Sequence, residues 1–135
     1  RLRTSGTVAI DGVTLRAAGT CDKGIIIEPG AVSIRNATLE GLSSCAGIVG
    51  LDDTEPGAVT LDLGTTDSAG NNDLRVANGA GLAVRALDDP SSAHVIEAVG
   101  NVWAVEPPRC GVEITSVAVT PPVEVHFAVD GGCSF

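Results

Sequence analysis

The chain has 135 residues, a formal net charge of −9 and Lys23 as its sole lysine; that length accommodates one core but not two independent ones. Such a surface repels nucleic acid and anionic membranes, because phosphate binding needs clustered Lys and Arg. No run of about 18 apolar residues is present to span a bilayer. Aromatics are reduced to Trp103, Phe127 and Phe135, while Gly, Val, Ala, Leu and Ile abound. This composition suits many short strands joined by tight turns and suits a helical bundle poorly.

The chain starts at Arg1 with neither an initiator Met nor a signal peptide, and so reads as a processed product or an excised fragment. The first strand begins near Thr7, and the six residues before it are too few for an N-terminal capping helix. Residues 8–15, V-A-I-D-G-V-T-L, are matched by residues 32–39, V-S-I-R-N-A-T-L, with Val8/Val32, Ile10/Ile34, Thr14/Thr38 and Leu15/Leu39 all 24 apart. A third copy follows a second Pro-Gly-Ala, aligning Val32 with Val59 and Ile34 with Leu61 at an interval of 27, the extra residues being a turn around Asp52–Glu55. Apolar residues alternate within each copy, which is strand periodicity with one face turned inward. A period in the mid-twenties is solenoid behaviour.

Past residue 64 the repeat loosens. Thr65 to Asp73 is a polar loop, Gly81 to Arg85 resumes strand patterning, and His94 to Val105 gives a further strand pair. Val112-Glu113-Ile114, Val117-Ala118-Val119 and Val123 to Val129 alternate again, and Pro121-Pro122 marks an edge or cap. The expected fold is all-β: a short right-handed parallel β-helix of about four to five coils. The coils lie near 7–31, 32–58, 59–92 and 93–119, with a C-terminal strand or cap over 120–135.

Four cysteines allow three pairings. None has zinc-like spacing, and an even count in an acidic chain favours disulfides and an oxidising, extracellular or periplasmic setting. Residues 24 apart stack on adjacent coils at about 4.8 Å, within disulfide reach. Cys21–Cys45 is therefore expected, and Cys110–Cys133 by the same reasoning.

Leu61-Asp62-Leu63-Gly64-Thr65 with Gly70-Asn71-Asn72, and Val95 to Trp103 with its Ala98-Val99-Gly100-Asn101-Val102-Trp103 core, resemble passages of bacterial secreted β-helix proteins of the pectate-lyase-like superfold. The resemblance covers about residues 7–105 and implies fold more than function, since that superfold serves polysaccharide lyases, adhesins and surface proteins. It implies that Asn36 and Asn101 are inward turn asparagines bonded along a ladder. Family members usually have more coils, so the chain looks like a C-terminal end.

Enzymes of that superfold use carboxylate clusters in an exterior groove. The candidates here are Asp52, Asp53 and Glu55, then Asp62 and Asp67, then Asp88 and Asp89; as turn neighbours they lack the fixed separation that paired-carboxylate catalysis needs. Arg35 and Arg85 read as solubilising residues on outer strand faces. His94 and His126 lack metal-site spacing. Asn36-Ala37-Thr38 fits the glycosylation pattern, but the register engages its side chain. Trp103 reads as a core anchor, and Thr14 with Thr38 is too short a ladder for ice binding. No G-x-S-x-G is present. No catalytic residue, cofactor or metal site is expected.

A β-helix exposes unpaired backbone at each end unless it is capped or stacked on another molecule. The expected assembly face comprises Thr7, Val8 and Ile10 at one end and Val125, Phe127 and Val129 at the other. Head-to-tail contact of this kind is heterologous and does not close. The expected role is a non-enzymatic extracellular structural β-helix that self-associates into a filament or forms part of a larger cell-surface or adhesion protein, with surface polysaccharide as a candidate partner. The alternative is a terminal fragment of a polysaccharide lyase or hydrolase.

Overall fold

The computed structural model describes residues 6–16, 23–27, 30–40, 46–50, 59–85, 94–117 and 123–135, and these contain strands and turns but no helix. The strands are β1 (Gly6–Asp11), β2 (Thr14–Arg16), β3 (Lys23–Ile27), β4 (Gly30–Arg35), β5 (Thr38–Glu40), β6 (Ala46–Gly50), β7 (Val59–Asp62), β8 (Leu82–Arg85), β9 (His94–Glu97), β10 (Ile114–Val117), β11 (Val123–Ala128) and β12 (Gly131–Ser134). Cys21, Cys45, Asp52, Asp53, Glu55, Asp88 and Asp89 lie outside the described residues.

The strands form a six-stranded sheet ordered β1-β4-β7-β9-β11-β12, a four-stranded sheet ordered β10-β8-β6-β3 and the pair β2-β5. Among the described residues every strand pairing is parallel except β11 with β12. Neighbouring strands are thus separated in sequence by whole repeats: Val8 faces Val32, Ile10 faces Ile34, and Thr14 faces Thr38. The β2-β5 pair is extended by single bridges from Thr38 to Asp73 and from Asp73 to Val102.

The alternation in sequence becomes three inward columns. One runs Val8, Val32, Leu61, Ile96 and Val125 across the six-stranded sheet. The second runs Ile25, Ile48, Leu82 and Ile114. The third consists of Leu15, Leu39, Leu74 and Trp103, each following a bridge residue. Beyond the first repeat these residues are buried, and all three sheets contribute to one hydrophobic cluster. Trp103 fills the last place of the Leu column and is 4% exposed, so its bulk serves packing.

The fold departs from the sequence pattern in two places. The third repeat pairs Val32 with Leu61 and Gly30 with Val59, two residues away from the Val32–Val59 alignment. A slip of two keeps every side chain on its face, so alternation alone does not separate the two registers. The reach of Arg35 to Asp62 helps to fix the observed one. The Val112–Ile114 segment does not alternate: Val112 is exposed and Glu113 is buried. Residues 111–113 form a turn in which the Arg109 carbonyl accepts from the N–H groups of Val112, Glu113 and Ile114.

The two edges of the six-stranded sheet differ. Among the described residues β1 pairs only with β4, whereas β11 is covered by the antiparallel β12. Cys133 on β12 lies opposite Val125 and is bonded to Cys110, with the Cα atoms 5.6 Å apart. In the chain-entropy view a bridge over 23 residues stabilises by about 3 kcal/mol. Val125 is 0% exposed, and β12 occupies the edge that the sequence reading left open for assembly. Phe127 is half-buried against the core, and Val129 projects from the β11–β12 turn at 78% exposure.

Candidate functional site on the outer face of the six-stranded sheet

Outward residues of the parallel strands line up as inward ones do. Ser33, Asp62, Glu97 and His126 form one row in register. Arg35, two residues beyond Ser33, leans across this row: its Nη2 donates to both Asp62 carboxylate oxygens at 2.7 Å, and its Nη1 donates to the Asp62 carbonyl at 2.9 Å and the Ile34 carbonyl at 3.1 Å. Asp62 Oδ1 also accepts from the Gly64 N–H at 2.9 Å. The Arg35 Nη2 group, bonded to both carboxylate oxygens, and a backbone donor hold this carboxylate in one place.

His126 stands between two acids. Nδ1 lies 3.3 Å from Glu97 Oε1 and Nε2 lies 3.3 Å from Glu124 Oε2. Beside it, on the β11–β12 hairpin, is an open depression of about 350 Å³ lined by Glu124, His126, Asp130 and Ser134, among others. Which ring nitrogen donates to its carboxylate neighbour depends on the tautomer. A second depression of about 420 Å³ is lined by Leu39, Asp73, Arg75, Val76, Ala77 and Ala104, with Arg75 paired to Asp73; Arg16 pairs with Glu40 across β2 and β5. The Arg75 guanidinium holds the Asp73 carboxyl below its ordinary range. Asp67 is exposed on the loop after Gly64. Arg85 ends β8 and His94 begins β9. Among the described residues no group of three His, Cys, Asp or Glu side chains is placed to hold a metal ion.

The asparagines are distributed differently from the sequence expectation. Gly12, Asn36, Asn71 and Gly100 have φ values of 66°, 54°, 51° and 72°, so each marks a left-handed turn, a conformation that Gly and Asn tolerate. Asn36 is exposed, and its Nδ2 donates to Asp11 Oδ1 at 2.7 Å. It is a turn asparagine directed outward. The inward place is the next residue: Val13, Ala37, Asn72 and Asn101. Asn72 and Asn101 are both buried. Asn72 Nδ2 donates to Asn101 Oδ1 and to the Ile34 carbonyl, both at 2.9 Å, and Asn72 Oδ1 accepts from the Ala37 N–H at 2.9 Å. Asn101 Nδ2 donates to the carbonyls of Leu63 at 2.9 Å and Ala98 at 2.7 Å. The adjacent pair Asn71-Asn72, set against Gly100-Asn101, is the signal that identifies it.

Just before β10 lies a buried acid. Glu113 is 4% exposed, and its carboxylate accepts from Arg109 Nε and backbone N–H at 2.9 Å and from Nη2 at 2.7 Å. These bonds hold its carboxyl down to about 2, against an ordinary 4.5. A depressed acid stabilises the fold above its unfolded pKa, and that contribution disappears as pH falls through the folded value. Glu113→Gln is therefore expected to lower stability by about 1–2 kcal/mol at pH 7, with the exposed Arg109 limiting the effect. The difference from the parent should shrink between pH 4.5 and pH 2; thermal melts of both proteins across that window check this.

Among the described residues no helix is long and apolar enough to cross a membrane. The Cys110–Cys133 disulfide is compatible with an oxidising compartment. Comparison with family models, with curated proteins and with solved structures gives no match.

Proposed function

We propose that the chain is the closed end of a right-handed parallel β-helix and serves as a non-enzymatic structural element of a larger extracellular or cell-surface protein. The parallel registers and the three inward columns support the stacked-coil part of this reading. The passages that resemble pectate-lyase-like β-helices are engaged in building the fold: Asp62 caps Gly64, and Asn72 and Asn101 bond to inward carbonyls. The observation that carries the reading is the inequality of the two sheet edges. A short, Gly-containing antiparallel strand with a disulfide blunts one edge, as natural sheets do where pairing must stop. This favours membership of a larger protein over an endless filament, which needs two receptive ends.

The Arg35–Asp62, Arg16–Glu40 and Arg109–Glu113 pairs belong to the same picture, since these charges bond to neighbouring repeats or turns. The His126, Glu97 and Glu124 cluster favours one second reading, the terminal part of a polysaccharide lyase or hydrolase. Incubating the protein with acidic and neutral polysaccharides, with and without calcium, tests the choice. We expect no release of unsaturated or reducing ends. Cleavage abolished by Glu97→Gln or His126→Ala would establish the enzymatic reading instead. Long filaments in electron micrographs of the oxidised protein would restore the self-assembling one.

A further inference from the structure

The first repeat has the chemistry of an inner layer. Val8, Ile10, Val13 and Leu15 occupy the places held one repeat later by Val32, Ile34, Ala37 and Leu39. The four later residues are buried, whereas the four earlier ones are only half-buried. A capping repeat would turn polar there; this one stays aliphatic. The backbone bonds have a direction as well. The Thr38 N–H donates to the Val13 carbonyl at 2.9 Å, Asp73 to Ala37 at 2.8 Å and Val102 to Asn72 at 2.9 Å. Thr14 holds the same place one repeat before Thr38, and among the described residues its N–H meets no acceptor. The only charge in β1 is Asp11, which Asn36 engages.

We propose that this end of the stack is a docking surface for one more parallel layer of the same repeat, a proposal that rests on the stacked-coil reading above. The occupant is a strand–turn–strand segment with the pattern of residues 8–15: two inward aliphatics two apart, a left-handed Gly or Asn, a small inward residue, and Leu two places on. Its small inward residue supplies the carbonyl that receives the Thr14 N–H. A second copy of the chain does not supply this segment. Meeting head to head, two copies would bring their first strands together antiparallel, and meeting head to tail, β1 would encounter β12, which runs antiparallel to β11 and begins with two glycines in place of inward aliphatics.

Two probes test this on the full chain. One is a synthetic peptide with the sequence of Gly6–Arg16, added in excess. The other is a covalent version in which residues 6–29 are duplicated ahead of Gly6, which removes any dependence on peptide affinity. The duplicated chain is expected to slow amide exchange at Thr14 and along the original β1 by at least about tenfold and to melt at a temperature several degrees higher. The peptide should give the same protection, and its Ile10→Asp form should not. Unchanged exchange and an unchanged melting temperature in the duplicated chain would overturn the proposal. So would a dimer of the unmodified chain in sedimentation with β1 protected, because the occupant would then be a second copy. Polysaccharide cleavage would defeat the non-enzymatic reading and leave this one standing, so the two failures are distinguishable.

Discussion

Gly70→Ala is expected to leave the chain without a native fold at 25 °C, the largest effect of any substitution considered. A Cβ at Gly70 would overlap the Leu63 carbonyl oxygen and Asn101 Oδ1. Neither can move freely: Leu63 O accepts from both inward asparagines, and Asn101 Oδ1 accepts from the Asn72 N–H and Nδ2. The polar loop 65–69 leaves and re-enters the repeat between Gly64 and Gly70, and both glycines are bonded through their backbone to Val99. Gly64 is constrained in the same way, with φ at 133° and its Cβ site overlapping the Val99 carbonyl and the Gly70 nitrogen. Backbone overlap at a buried, hydrogen-bonded site belongs with the substitutions that cost more than about 4 kcal/mol. Gly12→Asn is the control, because Gly12 has open space around it and Asn already holds the equivalent turn at residues 36 and 71. Circular dichroism melts should give no cooperative transition for Gly70→Ala and a near-parental one for Gly12→Asn. A cooperative, near-parental melt of Gly70→Ala would contradict the assigned packing.

Asn101→Leu is expected to cost about 3–5 kcal/mol, read as a lower urea midpoint with an unchanged slope. Leucine is close in volume, so the loss is not mainly one of packing. It removes the donors to the Leu63 and Ala98 carbonyls and the acceptor for Asn72, all in the buried interior. Leaving such groups unpaired in a low-dielectric core is what makes partly satisfied networks expensive. Asn72→Leu should behave similarly, and the double substitution should cost less than the sum, since the pair share a hydrogen bond. Asn36→Ala, by contrast, removes one exposed bond to Asp11 and is expected to cost less than about 1 kcal/mol. Additive losses at residues 72 and 101 would mean that the two amides act independently.

Much of the architecture was legible because the repeat is written in residue types that stack. Val8 over Val32 and Leu15 over Leu39 follow directly from the 24-residue spacing, and the burial of Trp103 follows from the general tendency of Trp to be buried. Cys110–Cys133 was legible from spacing as well. The interval between the second and third repeats was not, because alternation is unchanged by a slip of two residues. Asn36 matches the inward amide by letter alone, whereas the geometry reserves the inward place for the residue after the left-handed turn. β12 carries two glycines in place of apolar alternation, so nothing in its pattern announces a strand that covers an edge. Glu113 was hidden by its neighbours, since Val112 and Ile114 imitate a strand that would turn the acid outward. The candidate outer-face row was only partly visible: Asp62, Arg35 and His126 were singled out, but their alignment with Glu97 depends on registers set by long-range pairing.

Residue-resolved hydrogen exchange of the unmodified chain would show whether parallel repeats stack in register from a receptive first strand to a closed last one. The expected profile has slow amides in β4, β7, β9 and β11, fast outer-edge amides in β1, and protection in β11 that falls when Cys110–Cys133 is reduced and its hold on β12 is lost. Equal protection of β1 and β4 in a monomer, or protection of β11 that does not respond to reduction, would contradict it.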